Sequence, residues 1–289
     1  MKSLLVAFAV LTLLSCDTDV TQDYTIPYAE HLVLESFISP QDTLIQVRVM
    51  KTAPSIGKKI GQTGLISDAR VELSNGTRTV TLPFVTDTGT QLNGNGVGRL
   101  RGYQLKTSEF PIEAGRTYTL RASVPSGLSA QARCTVPTRN VDPSQVDIKR
   151  GTTSQDGRPR PTIQVRVKDV VGMTNRYFVT IFRINEHKNN LGKLIQNRYP
   201  AQTDYLSDNN RDGDWLSSQK ISLYVNTNER FELFVATTDI PYYEYNTTIQ
   251  KHQDAQGNPF AEPQPVYSNV SGGLGVFAAY QWVRLPLVF

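Results

Sequence analysis

The sequence predicts a mainly β chain: two β-sandwich domains, Ig-like or prealbumin-like, with one main helix in the second. Three observations carry this. Apolar residues alternate with polar ones at period two along most of the chain, the signature of half-buried strands. Turn chemistry bounds the runs, as in Asn75-Gly76, Asp87-Thr88-Gly89 and Ala114-Gly115. Between Pro137 and Gln145 the alternation stops and two prolines stand instead, which sets a domain boundary there.

In chain order, residues 1–16 read as a lipoprotein signal peptide. Lys2 supplies a positive start, and Leu4 to Leu14 form an apolar run broken only by Thr12. A bilayer span needs about 20 apolar residues, so this run has the length of a cleaved signal segment. Leu13-Leu14-Ser15-Cys16 then forms a lipobox: a branched apolar residue, small residues, and the Cys whose thiol takes the lipid. Cys16 is therefore the expected lipidation site, and multiple acyl chains would give stable membrane anchoring. Residues 17–30 read as a tether, with Asp17 and Asp19 just after the Cys.

Residues 31–137 read as the N-terminal sandwich. Ile45, Val47 and Val49 alternate with Gln46 and Arg48, and Val71 and Leu73, then Val80 and Leu82, continue the pattern. Tyr118, Leu120, Ala122 and Val124 form a further apolar face, and Ala130, Ala132, Cys134 and Val136 another. Cys134 on that face is expected to be a small buried hydrophobe, and with Cys16 lipidated it has no disulfide partner.

Residues 146–289 read as the C-terminal β-rich domain. Ile163, Val165 and Val167 open it, and Arg176 to Ile184 is apolar on both faces. Asp239 to Gln256 reads as the helix, with Thr238 or Asp239 as its cap and Pro241 in the first turn. The segment Gly272-Gly273-Leu274-Gly275 reads as a kink before the last strand, and Pro286 there suits an edge strand.

Formal net charge is +4 and its Lys and Arg are scattered without a run of like sign, so no nucleic-acid partner is expected. Neither His-Glu-x-x-His nor Gly-x-Ser-x-Gly is present, and the three histidines are far apart, so the expectation is a non-enzyme. Gly94, Gly96 and Gly98 lie among strands and turns and read as a hairpin loop rather than a nucleotide cradle.

Two candidate binding features stand out. Asp208, Asn210 and Asp212, with the carbonyl of Asp214, have the alternate-position spacing of a calcium loop around Gly213. The twelfth position, where such a loop needs a Glu, is Gln219, and the same letters also make an ordinary polar turn. Calcium is thus the one cofactor the sequence raises. Tyr242, Tyr243 and Tyr245 cluster at the start of the helix, fit to anchor a partner or to dock the helix on a sheet. Ile249 extends the same face and favours docking.

A family resemblance rests on the C-terminal segments Asn258 to Pro263, Val266 to Val270 and Gly272 to Phe277. Leu32 to Glu35 and Asp169 to Phe178 agree with it. These resemble the Bacteroidota lipoproteins grouped as domain of unknown function 4249. The resemblance implies a lipid-anchored outer-membrane lipoprotein of a kind often encoded beside TonB-dependent transporters, and Asp17 and Asp19 directly after the Cys resemble the signal for export to the outer face of that membrane. The resemblance brings no catalytic residues. Asp42-Thr43-Leu44 also fits the short O-glycosylation sequon of that phylum. The functional expectation is a non-enzymatic binding or accessory component in nutrient uptake. A structural or adhesive envelope protein is the alternative, and an enzyme with an unrecognised site the third reading.

Overall fold

A computed structural model describes residues 29–53, 64–86, 101–155, 157–188, 192, 194–209, 211–225, 229–256, 260–262 and 264–288. The signal segment, Cys16, most of the tether, Gly94 to Gly98 and Asn210 lie outside these residues. The chain is mainly β and sandwich-like, with one α-helix and no closed barrel among the described residues.

The first half builds as its alternation predicts. β1 (Leu32–Ile38) and β2 (Leu44–Lys51) pair antiparallel, with Leu32, Leu34, Val47 and Val49 fully buried and their neighbours half-buried or exposed. Facing them is a second sheet of five strands. Its core strands are β3 (Arg70–Ser74), β7 (Thr117–Ser123) and β8 (Ser129–Thr135), flanked by β4 (Thr79–Leu82) and β16 (Val270–Ser271). Val71, Leu73, Tyr118, Leu120, Ala132 and Cys134 close the first core from that side. Burial pushes the Cys134 thiol well above its usual range, so it packs as a hydrophobe.

The second half repeats the two-layer plan. β10 (Arg158–Lys168) presents Ile163, Val165 and Val167 to a second core. It is flanked by β9 (Val146–Gln155), β13 (Trp215–Ser217) and β14 (Ile221–Ser222). Opposite lie β11 (Arg176–Lys188), β12 (Leu194–Ser207) and β15 (Arg230–Thr238), contributing Tyr177, Val179, Ile181, Leu233 and Val235.

One feature departs from two separate sandwiches. The last strand, β17 (Gly273–Leu287), serves both halves. Its first part, Gly273 to Ala279, runs parallel to β1, and its second part, Tyr280 to Leu287, runs antiparallel to β15. The result is a single sheet of eight strands in the order β12-β11-β15-β17-β1-β2-β6-β5, with β6 at Gly102–Lys106 and β5 at Phe84–Val85. The expected boundary at 137–145 therefore separates two cores but not two sheets. Val270, Phe277 and Ala279, placed by sequence in the second domain, pack in the first core. β17 as a whole lies inside the sheet, but around Pro286, opposite Glu232, β15 is its one strand partner among the described residues, so the proline sits on a stretch open on one side, as its chemistry suits.

The glycines before and within β17 make the parallel pairing possible. A Cβ on Gly275 would stand 2.0 Å from the Leu34 carbonyl oxygen, and one on Gly273 would stand 2.4 Å from that of Leu32. Gly275 also takes φ +107°, a conformation closed to most L residues. The expected kink is thus a stretch where backbone lies on backbone.

The helix, α1 (Ile240–Gln256), follows β15 directly. Asp239 caps it: Oδ1 accepts from the Tyr242 N–H at 2.9 Å, which decides between the two expected capping residues. The helix lies on the face of the eight-stranded sheet that points away from both cores. Tyr242 meets Phe37 of β1, Phe178 of β11 and Tyr280 of β17, with ring centroids 5.3 to 5.7 Å apart. No described helix is long and apolar enough to cross a membrane.

Candidate functional site

Beside the helix, the same outer face of the large sheet carries a groove of about 490 Å³. Three strands and one hairpin build it. β1 gives Glu35 and Phe37, β2 gives Gln46 and Arg48, the β1–β2 turn gives Gln41 and Asp42, and β17 gives Tyr280, Trp282 and Arg284. The period-two pleat explains the set: Tyr280, Trp282 and Arg284 face outward while Val283 and Leu285 pack on the second core.

Asp42 is the central polar group. Its Oδ2 accepts from the Tyr280 hydroxyl at 2.8 Å, and its Oδ1 accepts from Trp282 Nε1 at 3.2 Å. Burial raises its pKa above the ordinary carboxylate value, further than those two hydrogen bonds and the Arg284 charge lower it. Trp282 is stacked on Phe234 at 5.4 Å, and the Arg284 guanidinium lies 4.3 Å over the indole. Glu232 is shared by two cations, Arg284 at 3.5 Å and Arg198 at 3.6 Å. At the other end Arg48 Nη1 meets Glu35 Oε2 at 3.0 Å. The groove thus offers ring faces between alternating carboxylates, guanidinium groups and amides. That composition suits a polar ligand with flat apolar faces, held by directional hydrogen bonds.

A second concavity, about 420 Å³, lies at the seam between the two cores. The end of β8 with the linker (Arg133 to Val141), the loop before β11 (Val170 to Arg176) and the β15–α1 junction (Thr237 to Pro241) line it. Asp239 is the organising residue. Its Oδ2 accepts from the Ala279 N–H at 3.0 Å, and the Thr135 N–H also points at the carboxylate. Together with the Tyr242 N–H, these bonds tie one side chain to the helix, to β17 and to the end of β8. Burial pushes its pKa up to about 7, against the pull of the three N–H groups.

The residues expected from sequence fare differently. Tyr242 and Tyr245 pack on Phe37, and Tyr243 packs against Tyr205, with the Arg176 guanidinium 5.2 Å over its ring. These rings dock the helix on the sheet. Burial pushes the Tyr242 and Tyr245 hydroxyls upward.

The Asp208 to Asp214 loop is stitched to the loop before β11. Asp208 accepts from the Asn175 N–H at 2.7 Å and pairs with Arg176 at 3.0 Å, both side chains being nearly buried. Both oxygens of Asp212 accept from the Gly172 N–H, at 2.9 and 3.1 Å. The Asp214 carbonyl accepts from the Asp169 N–H at 2.9 Å, and Asp169 Oδ2 accepts from the Gly213 N–H at 2.9 Å. Of the oxygens raised as calcium ligands, those of Asp208 and Asp212 and the Asp214 carbonyl thus already accept protein hydrogen bonds, and Asn210 lies outside the described residues. Among the described residues no three His, Cys, Asp or Glu side chains form a metal-binding group.

Sequence reasoning did not single out the groove. Asp42 entered it only through the glycosylation sequon; its carboxylate points inward while Thr43 is exposed. The alternation Tyr280, Trp282, Arg284 is a signal that could have been read, since rings and a cation on one strand face mark a surface rather than a core. Asp42 comes from more than 230 residues away and gives no such signal.

No curated protein matches the chain. The family model described as Domain of unknown function (DUF4249) matches residues 17–285. The match covers almost the whole chain and includes every residue of the groove and the seam, so the protein belongs to the DUF4249 family.

Proposed function

We propose that this protein is a lipid-anchored binding component of the outer membrane, held by Cys16 and exposed at the cell surface, that assists a TonB-dependent transporter in nutrient uptake without catalysing a reaction. The observation that carries the reading is the groove on the outer face of the eight-stranded sheet. Rigid strands fix its rings and charged groups, so little ordering is lost when a ligand is seated there. A lipid tether adds a high effective concentration near any membrane partner. The helix α1 stands on the same face and offers the surface for that partner.

The test combines genetics with capture. Deletion of the gene is expected to impair growth on one nutrient class while extracellular breakdown of that nutrient continues. A tagged chain is expected to co-purify a transporter from native outer membranes, and Arg48→Glu in the groove is expected to reproduce the growth defect at normal protein levels. Loss of breakdown in the deletion strain, restored by purified protein, would replace this reading with an enzymatic one. Normal growth on all nutrients combined with weakened cell adhesion would favour a structural role.

A further inference from the structure

We propose that the cavity at the seam between the two cores binds a single-chain amphiphilic acid, of the medium-chain fatty acid type. This inference is independent of the groove and of any transporter.

The size is that of a small-molecule site, and junctions between packed units are where such sites concentrate. The wall is largely apolar: Val136, Val141, Val167, Val170, Met173 and Ile240 all line it. Two of these reach solvent, Met173 at 42 % and Ile240 at 55 % exposure. Such apolar surface gains by being covered.

The charge on the lining is one-sided. Arg133, Arg139, Lys168 and Arg176 are cationic, and Asp239 is the one acid among the lining residues. The Asp239 carboxylate is turned inward onto three backbone N–H groups. Arg176 is occupied by Asp208 and by the Tyr243 ring. Lys168 lies 5.8 Å over the Trp215 ring, which leaves Arg133 and Arg139 as the cationic rim of an apolar wall.

That pairing selects the guest. A bare anion would leave the apolar wall wet, and a neutral hydrocarbon would leave the rim without a counter-charge. A carboxylate on an unbranched chain satisfies both, with charge-assisted hydrogen bonds at the rim and burial of methylenes inside.

The experiment is calorimetric titration of the full chain carrying Cys16→Ser, so that no acyl chain of its own competes, in detergent-free buffer. The probes are octanoate, decanoate, dodecanoate and decyltrimethylammonium, each below its micelle concentration. Affinity is expected to tighten by about fourfold per added methylene, the equivalent of ~0.8 kcal/mol per buried CH₂. Decanoate is expected to bind at least tenfold tighter than the cation of equal chain length. Arg139→Glu, an exposed position, is expected to remove most of that preference with an unchanged melting temperature. Val170→Trp, which fills the cavity, is expected to abolish binding. If Val170→Trp does not fold, Met173→Trp at the exposed wall is the substitute.

Any of the following results would overturn the proposal. One is the absence of saturable dodecanoate binding by a chain that melts normally. Another is equal affinity for decanoate and decyltrimethylammonium, or full binding by a folded cavity-filled variant, which would mean surface adsorption. A last one is binding to anionic phospholipid vesicles without binding of free dodecanoate, which would place the affinity in a bilayer surface rather than a single chain.

Discussion

Raising the pH from 4 to 8 is expected to weaken this fold through one side chain, Asp239. The carboxylate sits where helix, β17 and the end of β8 meet, and burial lifts its pKa from 3.8 to about 7. The folded chain therefore holds this proton to higher pH than the unfolded chain does. Folding takes up a proton between the two values, and stability is fully present below the lower value and lost as pH rises through the upper one. At ~1.36 kcal/mol per pH unit, the full excursion is ~4 kcal/mol. Asp239→Asn keeps an oxygen to cap α1 and cannot titrate. At pH 4 the variant is expected to lie within about 1–3 kcal/mol below wild type, the cost of turning an amide N–H toward a backbone N–H. By pH 8 the wild type is expected to have lost ~4 kcal/mol relative to the variant. Urea unfolding at half-unit pH steps measures both curves. Their difference isolates Asp239 from Asp42 and Asp204, whose pKa values burial also raises. A difference that stays constant within about 1 kcal/mol from pH 4 to 8 would refute the reasoning.

Four further outcomes are expected. Gly275→Ala drives a Cβ against the Leu34 carbonyl at positive φ, so unfolding free energy should drop by about 3 kcal/mol or more, with faster amide exchange along Leu32 to Ile38. Asp208→Ala removes the acceptor of the Asn175 N–H and the counter-charge of Arg176, which keeps only the Asn175 carbonyl, and denaturant unfolding should show a loss of about 3 kcal/mol. Because the oxygens of Asp208, Asp212 and Asp214 already accept hydrogen bonds, the melting temperature should be the same in calcium and in chelator; a rise in calcium that Asp212→Ala removes would restore the metal reading. Cys16→Ala should eliminate incorporation of a labelled fatty-acid analogue, and undiminished label on the variant would sink the lipobox reading.

Strands with one wet face were legible in the sequence. Ile45, Val47 and Val49 alternate because β2 has a core on one side and water on the other. β12 was invisible, since its fourteen residues are almost all half-exposed or exposed and carry no apolar stripe. β9 was invisible for a similar reason: Val146 to Gln155 is a polar strand paired only with β10. The helix was legible because Asp239 and Pro241 mark its start by local chemistry. The bonds that Asp239 makes to Ala279 and Thr135 are set by remote parts of the chain, and no local pattern encodes them. The same holds for Asp42 beneath Trp282. Local periodicity reports burial, not which strand lies alongside, so the joining of both halves through β17 stayed hidden.

That joining sets a constraint on biogenesis. During vectorial synthesis or export, β1 emerges about 240 residues before its parallel neighbour, as the pairing of Leu32 with Gly273 shows. Until then the edge of β1 is bare and the first core lacks Val270, Phe277 and Ala279. Pairing across so long a loop is slow, and an uncovered strand edge invites association between chains. The N-terminal half is therefore a poor candidate for independent expression, because the β1 edge stays uncovered until β17 arrives. Truncation before Gly273 would leave the first core permanently in this half-closed, aggregation-prone condition, even though every residue of the first apparent domain is present.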